Sequence, residues 1–305
     1  MIRCERLTHI YGRGTPLAMP ALTDVSLTKR YGDHAYEAVR GASLEIDLGE
    51  FVSIVGRSGS GKSTLLAMLG ALTPPSEGRV LLDGVDVNGR GTDRRRLRQQ
   101  VGLLFQYPEQ QLFEETVFAD VAFGPRNQGL SEEEVRARVH QALEQVGLPP
   151  AQFTSRSPFD LSGGEMRRAA IAGVLAMEPR MLILDEPTAG LDPQGRREIL
   201  AHVGRLHSAR GMTIVLITHS MDAVAQLCKR LVVLDGGRLV ADGPTRAIFA
   251  DPASLAAIGL GVPQMTLLAR RLRERGVPVR PDVLTVEEAR AAILEALAHP
   301  KNLLR

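Results

Sequence analysis

The stretch Gly56-Arg57-Ser58-Gly59-Ser60-Gly61-Lys62-Ser63-Thr64 constrains this chain more than any other. It has the spacing Gly, four residues, Gly-Lys-Ser/Thr, and lies between an apolar strand-like run (Phe51 to Val55) and a helix-like run (Leu65 to Leu69). The pattern alone also occurs in turns that bind nothing. A strand before it and a helix after it make it a phosphate-binding P-loop. Glycines let successive backbone N–H groups turn inward as an anion nest, and the following helix aims its positive end at the same point. Lys62 is then expected to reach the β- and γ-phosphates of a nucleotide. Ser63 is expected to place its hydroxyl on Mg²⁺, with Thr64 beside it.

At 305 residues the chain is long enough for one large core and a smaller second unit. Lys and Arg total 37 against 35 acidic residues, and this near balance gives no electrostatic case for a nucleic-acid partner. Trp is absent and aromatics are scarce, so stacking platforms for single strands have little to be built from. Cys4 and Cys228 are the two cysteines, which suits a reducing compartment and offers neither a disulfide framework nor a zinc site. No apolar run approaches a membrane span, and Arg3, Glu5 and Arg6 stand where a signal peptide needs its apolar core. Work at a membrane would proceed by docking.

In the first fifty residues a short segment is written twice: Leu7-Thr8-His9-Ile10-Tyr11-Gly12 recurs as Leu27-Thr28-Lys29-Arg30-Tyr31-Gly32. The block reads as one edge β-hairpin with a partial duplicate beside it. The spacing leaves open which copy joins the sheet, although the second runs directly into Glu45-Ile46 and the P-loop strand. After the P-loop helix, Arg79 to Val87 reads as strand, Asp-Gly turn and strand. Arg94, Arg95, Arg96 and Arg98 read as a solvated helix face before they read as a phosphate site.

Val101 to Phe105 is a buried-strand candidate that ends on Gln106, and from Tyr107 to about Glu178 the pattern is mainly helical. Within it, Ser131 with Glu134 has capping-box spacing, as has Ser162 with Glu165. The second pair sits in Leu161-Ser162-Gly163-Gly164-Glu165, where a helix amino terminus with exposed N–H groups could hold a phosphate or could simply be well capped. Met181 to Leu184 reads as a buried strand ending in Asp185-Glu186, and Thr213 to Ile217 as another ending in Thr218-His219. Ligand chemistry in such sheets collects at the carboxyl ends of strands. Asp185 is expected to hold Mg²⁺ through its water shell, Glu186 to orient or deprotonate an attacking water, and His219 to contact the γ-phosphate. Leu231 to Val240 reads as a closing hairpin, and two amphipathic helices follow, the second with Thr285 and Glu288 at capping-box spacing.

The P-loop, Gln106, Leu161-Ser162-Gly163-Gly164-Glu165, Asp185-Glu186-Pro187, Ala189-Gly190-Leu191-Asp192 and His219, in this order, resemble an ATP-binding-cassette ATPase. The resemblance covers residues from about 21 to 250 and implies an α/β P-loop NTPase cassette. Such a cassette has a RecA-like core, an antiparallel β subdomain, a helical subdomain at about 107–178, and here a C-terminal α extension over 251–305. It implies a head-to-tail dimer with ATP between the P-loop of one subunit and the Ser162-Gly163-Gly164 helix of the other. By the same resemblance Gln106 ligates the Mg²⁺, senses the γ-phosphate and relays to the helical subdomain, and Asp192 contacts the opposite subunit. An adenine-stacking tyrosine is also implied: Tyr31 has the better distance to Gly56, Tyr11 the better context.

Phe105 to Val117, Ala122 to Asn127, Ser157 to Asp160, Gly173 to Pro179, and Ile258-Gly259-Leu260 with Pro263-Gln264 resemble the ATPases of energy-coupling-factor importers. Those dock from the cytoplasmic face on a membrane coupling subunit, which works with a substrate-capturing subunit for vitamins or transition-metal ions. Tyr36 to Leu82 resembles instead ATPases of lipoprotein-release and efflux systems, which keeps an export role as the alternative. A soluble ABC protein of DNA repair or ribosomes would carry coiled-coil insertions or two cassettes, and a small-molecule kinase would leave Ser162-Gly163-Gly164 and His219 unexplained. Glu165 stands where most relatives carry Gln, which implies altered nucleotide affinity.

Overall fold

The computed structural model describes residues 22–31 and 36–298. Strands β1 (Leu22–Tyr31), β2 (Tyr36–Ala42) and β3 (Glu45–Ile46) open it, followed by β4 (Phe51–Val55) and helix α1 (Lys62–Leu69). Next come β5 (Glu77–Leu82), β6 (Val85–Asp86), the short helix α2 (Arg94–Gln99) and β7 (Val101–Leu104). A helical stretch follows, with α3 (Val117–Asn127), α4 (Glu132–Gln145), α5 (Pro150–Phe153) and α6 (Gly163–Leu175). The chain returns to the sheet through β8 (Met181–Asp185), α7 (Pro193–Arg210), β9 (Thr213–Ile217), α8 (Met221–Leu227), β10 (Arg230–Asp235) and β11 (Arg238–Pro244). Helices α9 (Thr245–Phe249), α10 (Pro252–Ala257), α11 (Gln264–Glu274) and α12 (Val286–Ala298) complete the described residues.

The larger sheet has the order β11-β10-β4-β9-β8-β7 and is parallel except for β11. Strands β4, β8 and β9 are buried along their whole length, which is why they are written as near-continuous apolar runs and not as alternating ones. Their register brings three strand ends level, since Ile217 pairs with Ile54 on one side and Asp185 on the other. The P-loop, Asp185-Glu186 and Thr218-His219 therefore leave the sheet at one edge.

The smaller sheet, β2-β1-β5-β6 with β3 also on β1, is antiparallel. The second copy of the duplicated segment forms its hairpin, with Tyr31 opposite Tyr36, while the first copy lies outside the described residues. Between the two sheets, α1 buries Leu65, Met68 and Leu69 against Val39, Ile46 and Val80 on one side and Ile54, Ile183 and Val215 on the other. On the opposite face of the large sheet, α3, α4 and α6 bury Val121, Val139, Leu143 and Ile171 in one core with Leu184 and Leu216. Capping boxes start α4 and α6, as the Ser-x-x-Glu spacing predicts.

Leu255, Leu260, Val262 and Leu284 also join this core, so its packing runs past residue 250. A separate small cluster, including Ala269, Val283 and Ala292, holds α11 to α12. The capping box expected at Thr285 forms only by half: the Thr285 hydroxyl accepts the Glu288 N–H, but the Glu288 carboxylate takes the Leu284 N–H and the Arg246 guanidinium instead. The four arginines on α2 are solvent-exposed, with Arg98 donating to the Ala71 carbonyl and Arg95 to that of Asn127. Among the described residues no helix is long and apolar enough to cross a membrane.

Candidate active site

Two glycines of the P-loop have no room for a side chain. A Cβ on Gly56 would meet the Leu234 carbonyl oxygen at 2.2 Å, and one on Gly61 would meet that of Ala38 at 2.2 Å. Gly61 also holds φ at +101°, a conformation that L side chains rarely adopt. The loop so shaped passes directly into α1, whose first residue is Lys62. The Lys62 Nζ donates to the carbonyls of Gly56 (2.7 Å) and Arg57 (2.8 Å), bracing the loop from within. Burial lowers its pKa, with the charges of Glu186 and Asp185 pulling the other way.

Across the cavity, the Ser63 hydroxyl donates to Asp185 Oδ2 at 3.2 Å. The next residue, Glu186, has φ +48° and donates its N–H to the Ile217 carbonyl at 2.9 Å. A left-handed backbone on a non-glycine residue costs on the order of 1–2 kcal/mol, and such strain is concentrated at functional sites. Glu186 Oε1 is buried without a hydrogen-bond partner and lies 3.3 Å from His219 Nε2. Burial, and then repulsion from Asp185, push the Glu186 carboxyl up to about 7. Burial also raises Asp185, opposed by the Ser63 hydrogen bond and by Lys62, while burial and then Lys62 lower His219. The arrangement at neutral pH is a carboxyl near its midpoint facing an uncharged imidazole, a pair suited to moving one proton.

Ser58, Gly59, residues 61–64, Gln106, Asp185, Glu186 and His219 line one cavity of about 360 Å³. Ala38 of β2 lines it too, a residue that sequence reasoning missed because a small apolar side chain carries no chemical signal. The Ser63 hydroxyl, the Asp185 carboxylate and the Gln106 amide offer hard oxygen donors, and that set fits a Mg²⁺ ion shared with phosphates.

The remaining expected residues are elsewhere. Ser162, Gly163, Gly164, Glu165 and Asp192 do not line this cavity. Ser162 caps α6, where the Glu165 carboxylate accepts both its N–H (2.8 Å) and its hydroxyl (2.8 Å), and these bonds hold Glu165 below the usual carboxylate range. Asp192 caps α7, accepting the Gly195 N–H at 2.6 Å. Arg57 is exposed and lies against the Gly259 turn. Tyr31 is the last residue of β1, and Tyr11 lies outside the described residues.

A second, apolar groove of about 350 Å³ lies among α2, α3 and α6. The rings of Phe113 (59 % exposed) and Phe123 (48 % exposed) meet edge to face at 5.1 Å on its wall. Beneath them, the Asp120 carboxylate accepts the N–H groups of Phe113 and Glu114, and so fixes the segment that follows Gln106.

The comparisons agree with this geometry. A protein family described as ABC transporter matches residues 39–189. An energy-coupling factor transporter ATP-binding protein, EcfA2 of Symbiobacterium thermophilum, is 56 % identical over 98 % of this chain and 97 % of its own length. The EcfA2 of Caldanaerobacter subterraneus subsp. tengcongensis is 48 % identical over 99 % of each chain. Among solved structures, cbiO1 of Clostridium perfringens, part of the ABC transporter complex cbiONQ, superposes with a TM-score of 0.70 at 37 % identity, covering 78 % of this chain and 94 % of its own. The cassette MJ0796, a dimer in a post-hydrolysis state bound to ADP and Pi, gives 0.66 at 31 %, covering 73 % and 98 %. With this fold and likeness along nearly its whole length, the chain belongs to the ATP-binding subunits of energy-coupling factor transporters, ATPases of the ABC family.

Proposed function

We propose that this ATPase drives uptake of a vitamin or a transition-metal ion from the cytoplasmic face of the membrane, as one of two cassettes in a head-to-tail dimer. The observation that carries the reading is the convergence of the P-loop, Gln106, Asp185, Glu186 and His219 on one cavity. The N–H groups of the P-loop and Lys62 hold the polyphosphate, with Lys62 exchanging its two loop carbonyls for phosphate oxygens. Ser63, Asp185 and Gln106 would hold a Mg²⁺ ion, which when bound would neutralise charge on the β- and γ-phosphates. Glu186 orients the attacking water and accepts its proton, a task for which a pKa near 7 is well placed. His219, uncharged, donates a hydrogen bond to the γ-phosphate.

Ser162, Gly163, Gly164 and Glu165 with Asp192 belong by this reading to the site of a second ABC ATPase, identical to this chain or different from it. The groove walled by Phe113 and Phe123 receives a helix of the membrane-embedded coupling subunit, which in turn works with the substrate-capture subunit. Its position directly after Gln106 lets closure around ATP move whatever is docked there. No nucleic acid takes part.

The test is purification of the tagged chain from detergent-solubilised native membranes and identification of what accompanies it. A polytopic coupling subunit with a second cassette is the expected result. Recovery with a lipoprotein-release or efflux permease would move the assignment to export, and recovery with no membrane protein would defeat both transport readings.

A further inference from the structure

Arg167 is a buried charge that the residues of the cavity do not account for. It sits on α6, five positions after Ser162, with its side chain 3 % exposed. One guanidinium nitrogen, Nη1, donates to the carbonyls of Pro187 (3.1 Å) and Ala189 (2.6 Å). The other, Nη2, donates to both carboxylate oxygens of Glu109, at 3.2 and 3.0 Å. The Nε has no partner.

The two guanidinium nitrogens reach different working parts. Pro187 and Ala189 form the turn between Glu186 and Asp192. Glu109 stands three residues after Gln106, in the single helical turn Pro108–Gln111 that leads to the groove wall at Phe113. A guanidinium is planar and presents its donors in a fixed fork, so a shift of either partner is passed to the other; an ammonium on a flexible stem could not do this. Taking such a charge out of water is costly unless its acceptors are in place, so the three segments hold one mutual arrangement.

We infer that Arg167 and Glu109 are positioning residues that yoke the Gln106 segment to the Glu186–Asp192 turn through α6. Loss of the γ-phosphate at Gln106, or movement of a partner in the groove, then reaches the turn that faces the second cassette. The inference rests on the roles proposed above for Gln106 and Asp192. The two arms can be cut separately: Glu109 is partly exposed, and its loss leaves the Arg167 bonds to Pro187 and Ala189 intact.

The experiment compares Glu109→Gln, Arg167→Lys and the double variant in the tagged assembly purified from membranes, measuring kcat and KM for ATP and the melting temperature. Glu109→Gln keeps an acceptor for the guanidinium but removes its counter-charge, so it is expected to lower the melting temperature by a few degrees, leaving the protein folded at the assay temperature. It is also expected to lower kcat about tenfold with KM within about twofold, a split that marks an interaction made after binding. Arg167→Lys should lose as much, and the double variant no more than the worse single one, because the two act as a unit. A Glu109→Gln enzyme with native kcat, a kcat loss matched by loss of folded protein, or fully additive losses would each overturn the inference. Glu186→Gln serves as the control: if it keeps full turnover, the catalytic reading itself fails, whereas an inactive Glu186→Gln beside an unimpaired Glu109→Gln removes only the yoke.

Discussion

The cavity edge and the α6–α7 edge of this molecule are made of similar parts with opposite finish. Both present helix amino termini, glycines and carboxylates. At the cavity, those parts are locked inward: Gly56 and Gly61 touch backbone, Lys62 is buried, and Glu186 holds an unpartnered oxygen. At α6 and α7, Ser162, Glu165 and Asp192 satisfy one another or their own helices, with Ser162 and Asp192 exposed and Glu165 half-buried. The first edge is shaped for a ligand in advance and carries strain to be so. The second is a self-satisfied surface, which on the reading proposed above would meet a ligand only when another chain brings one. The residues expected at the cavity are thus far better prepared than those at α6 and α7, a difference that the shared site proposed above would require.

The largest effect expected is on the prepared edge. Glu186→Gln should reduce ATP hydrolysis by about 10²–10⁴-fold while nucleotide binding persists, as for loss of a general base; single-turnover hydrolysis and equilibrium binding measured side by side would check it. If the α6 edge were the prepared one, Ser162→Ala would cost as much, and the comparison would collapse.

The same substitution should change stability with pH. The Glu186 carboxyl titrates at about 7 in the fold against an ordinary value of 4.5, so between these values the native state keeps a proton that the unfolded state has lost. Stability therefore falls as pH rises through that window. Glu186→Gln should remove a penalty of up to roughly 3 kcal/mol at pH 8 and change nothing at pH 4, read from denaturant unfolding of the nucleotide-free, metal-free protein. Equal gains at both pH values would show that burial of the side chain and not its charge is what matters.

Gly61→Ala should destabilise by about 1–3 kcal/mol through its left-handed backbone and the clash with the Ala38 carbonyl, and should abolish ATP binding in a titration. Gly163→Ala, where a Cβ meets nothing within 4 Å, should leave stability within about 1 kcal/mol and still impair turnover in the assembly. The smallest change belongs to Glu165→Gln. An anion at the α6 amino terminus opposes an arriving phosphate, so its neutralisation should lower KM for ATP only a few-fold, on the order of 0.3–1 kcal/mol. A rise in KM instead would mean that the self-made cap helps the second site.

Much of the prepared edge was legible in the sequence. Gly56 to Thr64, Asp185-Glu186 and His219 announce themselves because each follows a near-continuous apolar run, and a fully buried strand leaves no doubt about where its polar end must go. Ser131 and Ser162 were legible as caps because a capping box is local chemistry three residues wide. What could not be read was contact between distant segments. Arg167 looks like any exposed helix arginine until Glu109, 58 positions away, is brought to it. Leu255, Leu260 and Val262 read as part of an appended tail, yet they fill the main core, because periodicity shows which face is apolar but not what covers it.

The position of β4 has a consequence for how the protein is made. Its two neighbours are β9, through pairs such as Phe51 with Ile214, and β10, through Val52 with Arg230. During synthesis the P-loop strand therefore emerges early and must wait, unpaired on both edges, until more than half of the chain has followed. A ribosome-bound fragment ending before residue 213 carries every P-loop residue but neither strand that pairs with β4. Over that interval a strand that the finished fold buries completely is a client for chaperones and an invitation to aggregate, and nucleotide can stabilise the newborn chain only once the strands that flank β4 are in place.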